Sequence, residues 1–81
     1  MYTTSWCGYC ARARQLLADK GAPFTEIDVD QVAGSRAEMQ QRSGRTSVPQ
    51  IFIGGQHVGG YDDMRALDQR GGLDPLLAAA S

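Results

Sequence analysis

Short apolar runs alternate with stretches of helical spacing along the chain, and glycine or proline separates almost every pair. Tyr2 to Thr4 has β character. From Gly8 to Lys20 the positions Ala11, Leu16 and Leu17 fall near the helical repeat, until Gly21 stops it. After Pro23, the residues Phe24, Ile27 and Val29 predict a second short strand. Arg36 to Arg42, good helix formers around Met39, predict a second helix ending at Gly44. Ser47-Val48-Pro49 then leads into the β-branched and aromatic run Ile51-Phe52-Ile53. Gly54-Gly55 is a two-residue hairpin signal, so Gln56-His57-Val58 should return antiparallel. Asp62 is placed to cap a helix running to about Gln69, Gly71-Gly72 stops it, and Asp74-Pro75 opens a last short helix.

The order is therefore βαβαββα with a helical extension. A parallel pair linked through helices, followed by a hairpin, predicts an α/β fold with a four-stranded mixed sheet flanked by helices. Leu16, Leu17, Phe24, Ile27, Ile51, Phe52 and Ile53 are the expected core. No linker, repeat or low-complexity segment interrupts the pattern, so residues 1–81 read as one domain with one modest core. The first strand begins almost at Met1, which leaves open whether residues precede it.

Composition narrows the function. Eight basic residues against nine acidic ones give a formal net charge of -1, without the basic surface that nucleic acid or an anionic membrane requires. A small or protein-borne substrate fits better. No apolar run approaches the roughly 20 residues of a membrane span or the h-region of a signal peptide, and a reducing cytoplasm is the expected location.

Chemistry concentrates in Cys7-Gly8-Tyr9-Cys10. A structural staple across two residues would close almost no loop. A closed zinc site wants four ligands, and Cys7, Cys10 and His57 supply three. The remaining reading is a redox pair, as expected for C-x-x-C beside a βαβ pattern. Cys7 stands at the strand-to-helix junction, where unpaired N–H groups and the helix dipole favour an anion, and the thiolate is the nucleophile in disulfide exchange. Cys10 lies one turn inward on the same face and is placed to resolve a mixed disulfide on Cys7.

Tyr2-Thr3, Cys7-Gly8-Tyr9-Cys10, the segment from Arg42 through Ser47-Val48-Pro49 to Ile53, and Gly59-Gly60 followed by Asp62-Asp63 together resemble the dithiol glutaredoxins, of the bacterial glutaredoxin 3 type. The resemblance runs on through Ala66-Leu67-Asp68 and Gly71 to Leu77. The stretch Tyr2 to Cys10 alone is also similar to the mycoredoxins, which use a different thiol. The glutaredoxin resemblance implies a thioredoxin-like fold and an oxidoreductase that uses glutathione to reduce glutathione mixed disulfides and protein disulfides, such as that of ribonucleotide reductase, as a monomer.

It also implies site residues. Pro49 should be cis and face Cys7, leaving the Val48 backbone, beside Ser47, free to pair with an extended substrate. At Gly60-Tyr61-Asp62-Asp63, the Asp62 N–H would take the γ-glutamyl carboxylate and the Asp63 carboxylate its amino group; read without the resemblance, this is an ordinary capped helix. Tyr61 replaces a smaller residue and would narrow the groove. Tyr9 would lie along the glutathione peptide, or simply cover the helix start. Arg36 stands where relatives place a group against the glycine carboxylate, and is equally readable as a solvated helix residue. Trp6 reads as packing and His57 as a surface strand residue.

Two positions depart from the family pattern. Gly8 replaces a proline, and relatives with a small residue there hold a [2Fe-2S] cluster between two protomers and two glutathiones, which is the alternative reading for Cys7. Thr4 replaces a lysine, leaving Arg12, Arg14 or Arg36 to supply positive charge.

Overall fold

Tyr2 and Thr3 form β1, a strand of two buried residues that is the innermost element of the fold. The computed structural model describes residues 1–80; Ser81, the last residue of the expected domain span, lies outside them. In chain order follow α1 (Gly8–Asp19), β2 (Ile27–Asp28), α2 (Ser35–Ser43), β3 (Ile51–Ile53), β4 (Gln56–Gly59), α3 (Tyr61–Gln69) and α4 (Leu73–Ala80). The expected βαβαββα order and its helical extension are both present.

The sheet departs from the expected continuous four-stranded ladder. β1 runs parallel to β2, with Tyr2 opposite Ile27, and β3 runs antiparallel to β4, with Phe52 opposite His57. A single antiparallel bridge joins the two pairs: the Tyr2 N–H donates to the Gln50 carbonyl at 2.9 Å, and the Gln50 N–H to the Tyr2 carbonyl at 3.0 Å. The order in space is β2-β1-β3-β4. Pro49, with no N–H to donate, prevents this ladder from extending backwards along the chain.

Alternation along β3 splits the core. Ile51 and Ile53 face one side, where they pack with Ala13 and Leu17 of α1, Met64 of α3 and Leu73 of α4. Phe52 faces the other, against Tyr2, Val29 and Met39 of α2. Leu16 and Ile27 join these clusters from partly buried positions. Phe24, expected in a strand and in the core, is in neither. Pairing begins only at Ile27, and the Phe24 ring is 38% exposed on an open groove that Leu17 and Leu77 also line.

Local chemistry sets the helix ends. Gly44 closes α2 in the left-handed conformation at φ 72°. The expected cap of α3, Asp62, instead lies in its first turn. Gly60 is the capping residue, and its N–H donates to the Asp63 carboxylate at 2.9 Å. Gly59, at φ 114°, leaves room for that carboxylate, into which a Cβ would run. The Lys20 ammonium at the end of α1 bridges Asp68 of α3 at 2.7 Å and Asp74 of α4 at 3.0 Å, tying three helices at one corner. No helix among the described residues is long and apolar enough to cross a membrane.

Met64 is fully buried where α3 meets the larger core. Met64→Ala should lower unfolding free energy by roughly 2–5 kcal/mol in urea titration. A loss below about 1 kcal/mol would contradict this packing.

Candidate active site

The chain leaves β1 and turns through Thr4 to Trp6 into α1, so Cys7 becomes the capping residue of that helix in extended conformation, φ -85° and ψ 120°. Its sulfur accepts the Cys10 N–H at 3.3 Å, doing for α1 what a serine or aspartate oxygen commonly does. A protonated Cys7 also has an acceptor across the groove, the Val48 carbonyl at 3.7 Å. Cys7 is half-buried, whereas Cys10 has no exposed surface.

This burial separates the two thiols chemically. Loss of water pushes the Cys10 thiol up to about 11, the Thr4 backbone N–H pulling the other way and the neighbouring Cys7 sulfur adding to the rise. Cys10 therefore stays protonated near neutrality. No group of three potential metal ligands occurs among the described residues.

The three arginines considered near Cys7 have distinct fates. Arg14 is clamped to Glu26 by two hydrogen bonds of 2.7 Å, although its charge still reaches both sulfurs. Arg36 is paired with Asp30 at 2.6 Å. Arg12 lies over the Tyr9 ring, its guanidinium carbon 5.4 Å from the centroid.

The facing wall is formed by Ser47, Val48 and Pro49. The Val48–Pro49 bond is cis, as the resemblance implied. Gly60 packs against this turn, close enough that an added Cβ would meet the Pro49 carbonyl at 3.6 Å. Tyr61, the first residue of α3, brings its ring within 6.5 Å of the Tyr9 ring, so the two aromatics bracket the space between the thiols and α3. The N–H groups of Tyr61, Asp62 and Asp63 lie in the unpaired first turn.

Asp63 accepts from Gly60 and from the Arg45 guanidinium at 2.8 Å. Arg45 first, and the Gly60 N–H second, hold its carboxyl below the ordinary carboxylate range. Contacts therefore link Cys7 to Val48, Pro49 to Gly60, Gly60 to Asp63 and Tyr9 to Tyr61, while Ser47 and Asp62 adjoin these residues in the chain. Arg36 does not contact them. Its partner Asp30 also accepts the Trp6 indole N–H at 3.1 Å, and Trp6, expected to pack, is 75% exposed. Asp30 holds the indole by its edge and leaves its faces in solvent.

Arg45, Asp30 and Gln50 make contacts around the candidate site that were not expected. Arg45 had a visible signal, a cation in the segment leading to Pro49, but its pairing with Asp63 depends on how α3 docks. Gln50 had none, since a polar residue entering a strand reads as exposed, and here it is fully buried.

The glutaredoxin family model matches residues 1–58. Glutaredoxin 3 of Escherichia coli K12 is 60% identical over 77 residues, covering 95% of this chain and 93% of the relative. The glutaredoxin of Pseudomonas aeruginosa PAO1 is 54% identical over 79 residues, covering 98% and 94%. Among solved structures, a buckwheat glutaredoxin–glutathione complex superposes with a TM-score of 0.91 at 34% identity, covering 98% of this chain and 74% of that one. Brucella melitensis glutaredoxin superposes at 0.82 with 60% identity, covering 94% and 83%.

The contrast between the thiols is directly measurable. Iodoacetamide at about pH 8 should modify Cys7 alone in the native reduced protein, and both cysteines after denaturation. Peptide mass spectrometry showing comparable labelling of Cys10 in the native state would contradict the burial described.

Proposed function

The chain belongs to the glutaredoxin family, and from that membership and the geometry around Cys7 we infer that it is a glutathione-dependent thiol–disulfide oxidoreductase with the family's thioredoxin-like fold. The observation that carries the mechanism is the asymmetry of the pair: one sulfur at the helix start, reachable from the groove, and the other protonated and buried behind it.

Cys7 thiolate attacks the glutathione sulfur of a mixed disulfide. The Cys7–glutathione disulfide forms as the old S–S bond breaks, and the target departs as a thiolate that takes a proton from water. A second glutathione thiolate then attacks the glutathione sulfur, releasing oxidised glutathione and restoring Cys7. With a protein disulfide, Cys7 bonds to one substrate sulfur. Cys10 gives up its proton and attacks the Cys7 sulfur, expelling the reduced substrate, and two glutathiones reduce the resulting Cys7–Cys10 disulfide.

The groove residues are the proposed glutathione contacts. The Val48 N–H has no partner among the described residues and suits the tripeptide backbone. The Asp62 N–H suits the γ-glutamyl carboxylate at a helix start, and the ionised Asp63 its ammonium, in exchange for part of the Arg45 contact. Tyr9 and Tyr61 would supply apolar contacts, and Ser47, Pro49 and Gly60 would border the bound peptide. Arg36 would reach the glycine carboxylate by leaving Asp30.

Cys7→Ser should lower glutathione-dependent reduction of a small mixed disulfide by more than about a thousandfold. Cys10→Ser should retain that activity and lose reduction of protein disulfides, both read from NADPH consumption coupled to glutathione reductase. Turnover persisting without Cys7 would overturn the mechanism.

A second reading concerns Gly8, the first residue of α1, where an added Cβ would meet no atom beyond its chain neighbours within 4 Å. Cys7 would supply one thiolate to a [2Fe-2S] cluster, and buried Cys10 none, so a second chain and two glutathiones must complete the set. Anaerobic reconstitution with iron, sulfide and glutathione should then give a coloured dimer by sizing and absorption; a colourless monomer would count against it.

A further inference from the structure

His57 lines a small cavity together with Asp63 behind the start of α3, and its closest contacts lead to the Pro49 turn. Its ring stacks on Phe52, centroids 4.8 Å apart and planes 28° from parallel, and its Nε2 lies 2.8 Å from the Gln50 side-chain oxygen. That oxygen only accepts, so the bond requires Nε2–H on the ring. Accepting there turns the Gln50 amide nitrogen towards the Pro49 turn, where it donates to the Ser47 carbonyl at 3.1 Å and lies 3.3 Å from the Ser47 hydroxyl. A flipped amide would lose its donor to Ser47 and set its oxygen against the Ser47 carbonyl. The amide therefore has one orientation. Gln50 is also fully buried, and its own backbone is held on both sides by Tyr2.

The Ser47 carbonyl and the Val48 N–H belong to one planar peptide unit and point in opposite directions. Fixing the carbonyl aims the N–H. Val48 is also the residue whose own carbonyl faces the Cys7 sulfur. We propose that His57 is a positioning residue for the substrate-binding edge, acting through Gln50 on the peptide plane that joins Ser47 to Val48. The ligand class is an extended thiol peptide, such as the glutathione moiety of a mixed disulfide, whose backbone carbonyl accepts the Val48 N–H. This rests on the assignment of Val48 as the substrate contact. His57 touches neither substrate nor sulfur, and its effect falls on binding rather than on the nucleophile.

His57→Phe keeps a ring to stack on Phe52 but removes the donor, and His57→Gln restores an N–H donor to Gln50. In His57→Phe, the KM for a glutathione mixed disulfide should rise about fivefold, the equivalent of one hydrogen bond, with kcat changed less than about twofold. His57→Gln should recover most of the loss. In the reduced protein without glutathione, the Val48 amide resonance in a 15N-correlated spectrum should shift in His57→Phe and return in His57→Gln. Gln50→Leu, which removes the relay from its centre, should shift the same resonance, and adding His57→Phe to it should change KM no further. An unmoved Val48 amide in both His57→Phe and Gln50→Leu, an unchanged KM, or additive effects in the double variant would overturn the proposal. The spectra need no substrate, so they test the relay separately: a displaced Val48 amide without glutathione turnover in the parent protein would refute the functional assignment and leave the relay standing.

Discussion

Two hydrogen bonds between the backbones of Tyr2 and Gln50 join the half of the sheet that leads to the thiols to the half that leads from Val48. Each flanking ladder is short, and neither spans the groove on its own. Through this one bridge, the turn following β1 and the turn preceding β3 lie side by side, which sets the Cys7 sulfur against the Val48 carbonyl. Core side chains from Ile51 and Tyr2 hold the bridge from opposite faces of the sheet, so it is shielded from competing water.

The charged groups around this frame are mostly spoken for. Glu26 takes Arg14, Asp30 takes Arg36, and Asp63 takes Arg45, while Lys20 serves two carboxylates at the far corner. The cysteine pair is thus differentiated by burial and by helix-end hydrogen bonding more than by a dedicated cation.

Much of this was legible in the order of residues because it depends on local rules. The element order followed from glycine and proline punctuation, the hairpin from Gly54-Gly55, and the place of Cys7 from a strand-to-helix junction. What escaped depends on contacts distant in the chain. Phe24 lay outside the core because pairing started three residues later than β propensity suggested. Trp6 was exposed because Asp30 captures its indole from another loop. His57 looked idle since Gln50, its partner, belongs to the facing strand's approach, and the cap of α3 shifted to Gly60 because Asp63 reaches back to it. The candidate groove residues were named by resemblance of motifs; the placing of Cys7 against Val48 depends on the bridge.

The arrangement of one reachable and one sequestered sulfur also bears on survival under peroxide. An oxidant arriving from solvent meets Cys7 first and converts it to a sulfenic acid, a species that further peroxide would drive irreversibly to sulfinic acid. Cys10 is one helical turn away, its own backbone N–H already on the Cys7 sulfur. Its thiol condenses with the sulfenic acid, expelling water and leaving a disulfide that ordinary thiols reverse. The buried cysteine would thereby guard the exposed one against irreversible oxidation.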